Sequence, residues 1–454
     1  MSDSIVSHPN PPNEQSSLTE WLDYMQQIHV SAIDMGLSRV LPVAEALGVV
    51  QSAKDDAYVF TVAGTNGKGS TTAVIAQMCQ TAGYKTALYQ SPHLSVFNER
   101  VRINGEMVSD ETLINAFSKV EKARLGCDLT LSFFEMTTLA ALLIFAEADC
   151  DVWVLEIGLG GRLDVVNIID PDMAVITNIA IDHVDWLGDN VEAIGREKAG
   201  ILRDNITLVY GATAMPASVQ EAIATHQATC YQVGRDFDYR AVDAATWQYS
   251  NAAVTMQLPR PALSLTNTAN ALSAVLASPL NINKKAIEQA LQTVKLAGRF
   301  DYRQTHNRHW LFDVAHNEQG VEFLLAQLLP LWQHLAKQNS TEHLSSKPAS
   351  IKMLFSMLGD KDIDKVVQRL TEAGLPISDW FIAEIDYPRA AATEQLQGVL
   401  ASYVDKAQIH DFARLKDATQ AVINASQPQD LIVVCGSFHT IGEALAALEA
   451  DNLN

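Results

Sequence analysis

Short apolar runs and longer helix-like stretches alternate along most of this chain. From Tyr58 onward, helix-like stretches such as 70–82 and 134–148 separate apolar runs rich in β-branched and aromatic residues, namely YVFTVA, TALYQ, VWVLEI and MAVITNI. Strands that alternate with helices in this way form parallel sheets covered by helices. The pattern therefore predicts a first α/β domain with a parallel, doubly wound sheet that extends to about residue 296.

A second alternation begins after Gly298. Its candidate strands are HWLFDVA, SIKMLFSM, DWFIAEI and LIVVCGSF, with helical segments such as 319–335 and 393–404 between them. This pattern predicts a smaller, Rossmann-like α/β domain over residues 297–454. The polar stretch AKQNSTEHLSSKPAS has no periodic pattern, so we predict a surface loop there. Residues 1–17 are rich in Ser, Pro and Asn and are predicted to be a disordered tail, which assigns 18–296 to the first domain.

Composition and charge exclude several classes of protein. Of the 454 residues, 48% are hydrophobic and 19% are charged, which is typical of a globular protein of two or three domains. The net charge of −21 disfavours nucleic acid and anionic membranes as partners. Five cysteines without a CxxC pair indicate neither a disulfide framework nor a zinc site. Because the sequence shows no signal peptide and no apolar run of about 18 residues, we expect a cytoplasmic protein without membrane segments.

A Gly-rich segment lies between the first predicted strand and a predicted helix. Its residues are Gly64, Thr65, Asn66, Gly67, Lys68, Gly69 and Ser70. Glycines let the backbone approach phosphates closely, the helix N-terminus offers N–H groups, and Lys68 adds a positive charge. The segment differs from a standard Walker loop because Gly69 follows Lys68 directly. It predicts a phosphate-binding loop, and the alternative is a tight turn that binds nothing.

Polar residues also follow two later predicted strands. Glu156 ends one strand, and Asp182 and His183 follow the next. Ligands of open α/β sheets bind beyond the carboxyl ends of the strands, so Glu156 is predicted to be a magnesium ligand. The alternatives are a solvated strand end for Glu156 and a hydrogen-bonded structural role for His183. Lys198, in REKAG, is by itself typical of an exposed helix end with a Gly cap.

Together these segments resemble the Mur ligase superfamily and, within it, the bacterial dihydrofolate synthase/folylpolyglutamate synthase family. The resemblance extends over nearly the whole chain from about residue 18. It implies an N-terminal P-loop-type parallel-sheet ATPase domain and a smaller C-terminal glutamate-ligase domain. The matching segments, in the family's order, are TVAGTNGKGS, SPHLSVFNERVRI, LSFFEMTTL, LEIGLGGRLDVVN, ITNIAIDHVDWLG, IGREKAGI, AGRF, DVAHN, GDKD and VCGSFHT.

The resemblance implies an ATP-dependent ligase that activates a carboxylate as an acyl phosphate and joins it to L-glutamate. The implied carboxylates are 7,8-dihydropteroate, which becomes dihydrofolate, and reduced folates, which become folylpolyglutamates. Besides the phosphate loop, the implied ATP contacts are Asn267, Arg299 and Asp313. The resemblance also implies that His316 and Ser437 are further candidates for positioning glutamate or nucleotide.

Two Mg²⁺ sites are implied by the same resemblance. Ser91 and Glu156 would bind one ion, and Glu156, His183 and Lys198 would bind the other. An ammonium cannot ligate a cation, so the family's solution is a carbamate formed from the lysine amine and CO₂. With Lys68, which would stabilise charge on the transferring phosphoryl group, Glu156, His183 and Lys198 are the implied catalytic residues.

The implied pterin-binding residues fall in three segments. Aromatic rings can stack on a flat pterin, and carboxylates can accept hydrogen bonds from it. An alternative for Phe133 and Phe134 is packing in the core. Two departures from the family are Ala32, where a hydroxyl residue is common, and Glu318, where proline is common and where we expect altered loop stiffness. The implied residues are Ile33, Asp34, Met35, Ser132, Phe133, Phe134, Glu135, Leu163 and Asp164.

Three functions remain open at this point: a folate-pathway glutamate ligase, a cell-wall amino-acid ligase of the same superfamily, and a non-catalytic nucleotide-dependent switch. The segments SPHL, FFEM and DVAHN favour the first over the second. The four implied catalytic residues argue against the third, because a nucleotide sensor has no need of a second metal site. We expect both folate activities, in a monomer.

Overall fold

The computed structural model describes residues 11–29, 36–243, 245–342 and 349–451. The chain divides into two compact units. The first consists of Met1–Pro92, Asn98–Pro261 and Leu265–Val294, and the second of His93–Phe97, Ala262–Ser264 and Lys295–Asn454.

The described strands and helices of the first unit account for the predicted alternation. The strands are β1 (Tyr58–Ala63), β2 (Thr86–Tyr89), β3 (Val101–Ile103), β4 (Glu106–Met107), β5 (Val152–Glu156), β6 (Met173–Ile176), β7 (Thr207–Tyr210), β8 (Thr229–Gln232), β9 (Phe237–Ala241), β10 (Thr246–Asn251) and β11 (Thr255–Pro259). The helices are α1 (Leu18–Gln27), α2 (Val40–Ala46), α3 (Val49–Asp56), α4 (Lys68–Thr81), α5 (Asp110–Gly126), α6 (Phe133–Glu147), α7 (Val184–Leu187), α8 (Val191–Ala199), α9 (Ala217–Thr225), α10 (Leu265–Ala277) and α11 (Lys284–Thr293).

A large, mainly parallel sheet forms the centre of the first unit. Its strand order is β4-β3-β2-β5-β1-β6-β7-β8, and β3 and β4 are the antiparallel strands at one edge. The predicted parallel sheet is confirmed, with β1, β2, β5 and β6 at the four predicted apolar runs. These strands are mostly apolar and almost wholly buried because helices cover the sheet: α4, for example, packs on β2 and β5 and also against α10 and α11.

A three-stranded antiparallel sheet, in the order β11-β10-β9, was not predicted. Its middle strand has an alternating pattern, with Trp247 and Tyr249 buried and Gln248 between them partly exposed. That period of two is typical of a strand with one covered face. The sequence therefore contains the pattern of this strand. It was not recognised because the segments on either side were interpreted as alternating strands and helices.

The second unit contains a six-stranded sheet in the order β12-β13-β17-β14-β15-β16, in which β12 is antiparallel to β13 and the other neighbours are parallel. Apolar clusters cover both faces of this sheet. The predicted smaller α/β fold is confirmed. Its described elements are β12 (Asp301–Thr305), β13 (Arg308–Asp313), β14 (Ile351–Phe355), β15 (Ile377–Ala383), β16 (Ile409–Phe412), β17 (Leu431–Cys435), α12 (Glu318–Glu342), α13 (Ile363–Glu372), α14 (Thr393–Leu400), α15 (Leu415–Ala425) and α16 (Phe438–Asp451).

Two irregular segments differ from expectation. The predicted surface loop AKQNSTEHLSSKPAS is wrong over its first part, because α12 continues to Glu342; residues 343–348 lie outside the described residues. The predicted tail stays a prediction for residues 1–10. Near its end the chain is ordered, since the Asn13 carbonyl accepts a hydrogen bond from Trp21 Nε1 and Ser17 caps α1. Among the helices in the described ranges, none combines the length and the apolar character needed to cross a membrane.

Candidate active site

Four neighbouring strands of the large sheet bring most of the predicted residues to one edge. In the order β2-β5-β1-β6 these strands run parallel, so their carboxyl ends lie side by side. Ser91 lies shortly after β2, Glu156 ends β5 opposite Val62 of β1, and His183 follows β6. Glu156 is only 4% exposed, so the alternative of a solvated strand end is wrong.

The Gly-rich segment connects β1 to α4 and requires glycine at two positions. Gly64 has φ +149°, and a Cβ there would lie 1.8 Å from Thr177 Oγ1. Gly67 has φ +85°, and its Cβ would lie 2.3 Å from Asn267 Oδ1. Residues that carry a side chain rarely adopt these backbone angles. Asn267, which was predicted as an ATP contact nearly two hundred residues later, therefore lies directly against the phosphate loop.

Residues that follow β6 hold the phosphate loop in shape. The backbone N–H of Thr65 donates to the Asn178 carbonyl, and the backbone N–H of Asn66 donates to Asn178 Oδ1, both at 3.0 Å. Thr177 Oγ1 donates to the Asn66 carbonyl at 2.6 Å. These contacts fix the backbone before any ligand binds. Sequence analysis missed Thr177 and Asn178, although both lie in the matching segment ITNIAIDHVDWLG.

A pocket of about 290 Å³, including its open mouth, lies beside this loop. It brings together Lys68, His183 and Lys198 from the predicted set, together with Asp182, which was not assigned a role. Glu156 and Ser91 do not line it. Within the ranges that the structure describes, no three His, Cys, Asp or Glu side chains are grouped to hold a metal ion. The lining residues are Gly64, Thr65, Lys68, Ile157, Gly158, Leu159, Gly160, Asp182, His183, Leu187 and Lys198.

Lys198 is buried, which contradicts the interpretation of REKAG as an exposed helix end. Its side chain is 4% exposed and its Nζ donates to the Gly64 carbonyl at 3.0 Å. Burial, together with the charge of Lys68, lowers the pKa of Lys198 to about 7, although Asp182 and Asp164 act in the opposite direction. Burial therefore favours the neutral form of this amine, and a neutral amine is a nucleophile.

Tight packing between the loop after β5 and the end of α8 positions Lys198. A Cβ on Gly161 would lie 2.7 Å from the Glu197 carbonyl, and one on Gly200 would lie 2.3 Å from Arg162 Cβ. Arg162 Nη2 also forms an ion pair with Glu197 at 2.7 Å. The glycines of GLGGR and EKAG therefore allow a close approach of two backbone segments, and this approach brings the end of α8 to the pocket.

Among the predicted pterin residues, Phe134 lies against the wall of the pocket. Both Phe133 and Phe134 are half-buried, so neither is a core residue of the usual kind. A Cβ on the pocket residue Gly158 would lie 2.5 Å from Phe134 Cζ, which places the ring against the pocket wall. Leu163 is also half-buried. The residues Ile33, Asp34 and Met35, and the departure at Ala32, lie outside the described residues.

Asp164 is buried and holds a loop. Its carboxylate accepts hydrogen bonds from the backbone N–H of Leu159 at 2.8 Å and of Val166 at 2.9 Å. Burial raises the pKa of Asp164 to about 6, against the effect of these donors. Its position shapes the wall of the pocket at Gly158–Gly160, and a pterin contact for it stays a prediction.

Ser132 and Glu135 form the capping box of α6. The Ser132 N–H donates to Glu135 Oε2 at 2.7 Å, the Glu135 N–H donates to Ser132 Oγ at 3.4 Å, and Arg39 forms an ion pair with Glu135 Oε1 at 2.7 Å. The spacing of a serine followed by a glutamate three residues later is the sequence signature of this cap. Both carboxylate oxygens of Glu135 therefore already have structural partners.

Glu135→Ala is expected to lower the free energy of unfolding by about 2–4 kcal/mol, because the variant loses the cap and leaves Arg39 without this ion pair. Thermal and urea unfolding measure the loss. Glu147→Ala is the matched control on the same helix: its ion pair with Lys119 is about half exposed, so a change within about 0.5 kcal/mol is expected. Glu135→Gln keeps the cap; a variant that remains stable but loses pteroate affinity would show a direct pterin contact instead.

The predicted residues of the second unit lie at the carboxyl ends of β13 and β17. Asp313 ends β13 and accepts hydrogen bonds from the N–H groups of Phe300 at 2.8 Å and Ala315 at 2.9 Å. Burial raises its pKa, whereas Arg299 and these donors lower it. The Arg299 guanidinium lies 4.7 Å from the centre of the Phe438 ring.

The two further candidates have local structural partners. His316 Nδ1 lies 2.8 Å from the Val314 carbonyl. Ser437 is buried, and its Oγ accepts a hydrogen bond from the Thr440 N–H at 3.0 Å in the first turn of α16. The departure at Glu318 does not lie in a loop as expected: it begins α12 and forms an ion pair with Arg369 of α13.

Comparison with known proteins gives matches over almost the whole chain. Residues 62–278 match the Mur ligase middle domain, and residues 298–438 match the glutamate ligase domain of Mur ligases. Dihydrofolate synthase/folylpolyglutamate synthase of Escherichia coli strain K12 is 37% identical over 440 residues, which cover 97% of each chain.

Solved structures agree with this similarity. The structure of Escherichia coli FolC in complex with DHPP and ADP superposes with a TM-score of 0.86 at 37% identity, and the match covers 97% of this chain and 100% of that one. A bifunctional folylpolyglutamate synthase/dihydrofolate synthase with Mn, AMPPNP and L-glutamate bound has a TM-score of 0.85 at 35% identity, with the same coverage.

Proposed function

The chain belongs to the Mur ligase family, among the dihydrofolate synthases/folylpolyglutamate synthases, and we propose on this basis that it uses ATP to ligate L-glutamate to 7,8-dihydropteroate and to reduced folates. The observation that carries the proposal is the pocket beside the phosphate loop. Two lysines and a histidine from three separate segments meet there, at the strand ends where α/β proteins bind ligands.

The proposed reaction has two steps. The substrate carboxylate attacks the γ-phosphoryl group of ATP, which forms an acyl phosphate and releases ADP. The α-amino group of L-glutamate then attacks the acyl carbon, and phosphate leaves as the amide forms and the amine loses a proton. The backbone N–H groups at the start of α4 and the Lys68 ammonium would hold the phosphates and stabilise the charge on the transferring group.

A divalent cation, proposed to be Mg²⁺ at two sites, would supply Lewis-acid stabilisation of the phosphates. The residues present fit such ions: Glu156 is a buried carboxylate at a strand end between Ser91 and the phosphate loop, and His183 lines the pocket. The relative solved with Mn and AMPPNP bound supports a metal-nucleotide complex. Ser91 and Glu156 are assigned to one ion, and Glu156, His183 and Lys198 to the other.

The Lys198 side chain fits this ligand set only in a modified form, because an ammonium repels a cation. Carbamylation by CO₂ would replace the positive charge with an anionic oxygen ligand. The structure favours this chemistry through the burial of Lys198 and its position at the pocket wall. We therefore propose a CO₂-derived carbamate on Lys198.

The remaining assignments rest on the family resemblance. Asn267 is proposed to contact ATP, which its position against Gly67 supports, and Arg299 and Asp313 are proposed as further nucleotide contacts. Phe134, against Gly158, is the proposed pterin contact with the best support from the structure. A monomer in the cytoplasm is the proposed state of the protein.

The test is incubation of the purified protein with ATP, Mg²⁺ and L-glutamate, and with either 7,8-dihydropteroate or a reduced monoglutamyl folate. Phosphate release and mass spectrometry of the pterin product are followed together. A mass gain of one glutamate on both acceptors is expected. A gain on one acceptor would restrict the enzyme to that activity, and no gain on either would contradict the proposal and direct the test to muramyl acceptors.

A further inference from the structure

An exposed apolar surface lies beside the pocket. Ile181 is 50% exposed, Val184 46% and Trp186 47%, and we call these three residues the apolar rim. Trp186 is exceptional in the molecule: the other six tryptophans are at most 9% exposed. Exposed apolar side chains that cluster at the edge of a cleft are typical of ligand contacts.

The geometry of α7 connects the rim to the pocket. The helix begins after His183, and the N–H groups of Trp186 and Leu187 both donate to the His183 carbonyl at 3.0 Å. His183 and Leu187 line the pocket, and Leu187 is buried. Residues three apart on a helix are neighbours on its surface, so Val184 lies next to Leu187, while Trp186 is held to His183 by the backbone hydrogen bond. The rim therefore borders the mouth of the pocket and is anchored by Leu187.

The chemistry of the proposed substrates indicates which of their groups would lie near this surface. In dihydropteroate, the carboxylate that reacts is bonded directly to a benzene ring. A ring attached in this way must lie within a few bond lengths of the phosphoryl group that is transferred. In a folate, that carboxyl is already an amide, and the carboxylate that reacts belongs to a flexible glutamyl group. The ring of a folate is therefore displaced from the reaction centre by one glutamyl residue.

We propose that the apolar rim, and Trp186 above all, binds the aminobenzoate ring of dihydropteroate and so favours the first ligation over the extension of folates. This inference rests on the proposed function and adds a specificity determinant to it. An indole offers a large, rigid apolar face for an aromatic ring at little entropic cost. None of the nine predicted pterin residues belongs to the rim, so the two contacts would hold different parts of the substrate.

Trp186→Ala is expected to raise the KM for 7,8-dihydropteroate at least about tenfold, which corresponds to the loss of one aromatic contact. The KM values for a reduced monoglutamyl folate and for ATP are expected to change less than about twofold, and Trp186→Phe should retain most of the affinity for dihydropteroate. Tyr231→Ala is the matched control, because this aromatic side chain of the same unit is also 40% exposed; it should leave both acceptors unaffected.

A binding measurement complements the kinetics. In protein labelled with 5-fluorotryptophan, the ¹⁹F resonance of Trp186 is assigned by its loss in Trp186→Phe. Saturation with dihydropteroate should shift it more than saturation with the folate. An unshifted resonance, or equal effects of Trp186→Ala on both acceptors, would overturn the inference. Failure of the wild-type protein to ligate either acceptor would instead contradict the proposed function, so the two failures are distinguishable.

Discussion

Replacement of Lys198 by alanine is expected to reduce ligation of both acceptors by about 10³-fold or more. The side chain is buried at the pocket wall, beside the phosphate loop and Lys68. If it carries a carbamate, the substitution removes an anionic ligand and leaves the site with uncompensated positive charge during phosphoryl transfer. Steady-state kcat for both acceptors measures the loss, and nucleotide binding should weaken much less because the loop backbone remains.

Two additions make this experiment specific for the carbamate. Acetate, which can enter the space left by the side chain, is expected to restore part of the activity of Lys198→Ala, and depletion of CO₂ and bicarbonate should inhibit the wild-type protein reversibly. Arg196→Ala, an exposed position on the same helix, should leave activity and stability unchanged. Loss of activity without rescue by acetate and without dependence on CO₂ would mean that Lys198 acts as an amine, through its hydrogen bond to Gly64.

The strands and helices that could be predicted are those whose pattern is determined by burial on both faces. β1, β5, β6 and β14 are mostly apolar and almost wholly buried because helices cover them, and the helices between them are long enough to be recognised. β9 and β11 could not be found in this way, because they are largely exposed and form no continuous apolar run. The end of α12 was missed for a different reason: residues 337–342 are polar, and helix propensity without an apolar stripe gives little signal.

Those parts of the site could be predicted in which the backbone conformation or the ligand requires one type of residue at a given position. Gly64 and Gly67 have positive φ and no space for a side chain, so their place in the sequence carries structural information. Lys198 could not be placed from its own segment, because burial of an amine depends on packing between GLGGR and EKAG that local sequence does not encode. Glu135 shows the opposite case, since its capping role follows from local spacing alone.

Replacement of Glu156 by glutamine is expected to lower kcat by about 10²-fold or more and to raise the Mg²⁺ concentration needed for half-maximal rate at least about 10-fold. Glutamine keeps the shape of the side chain but removes its negative charge. A divalent ion requires that charge in its ligand. Glu156 is the residue proposed to contact both ions, so its charge should matter more than that of any other single ligand. Mg²⁺ titrations of the rate at saturating ATP and glutamate measure the effect.

A structural role for Glu156 would give a different result, because Arg100 interacts electrostatically with it. If that interaction is its main purpose, Glu156→Gln would lower thermal stability and leave the Mg²⁺ dependence of the remaining activity unchanged. Glu147→Gln is the control, since that carboxylate ends α6 in an exposed ion pair with Lys119 and should alter neither property. A raised Mg²⁺ requirement at unchanged stability would therefore assign the charge of Glu156 to the metal, because the loss of its interaction with Arg100 would then have no measurable effect on the fold.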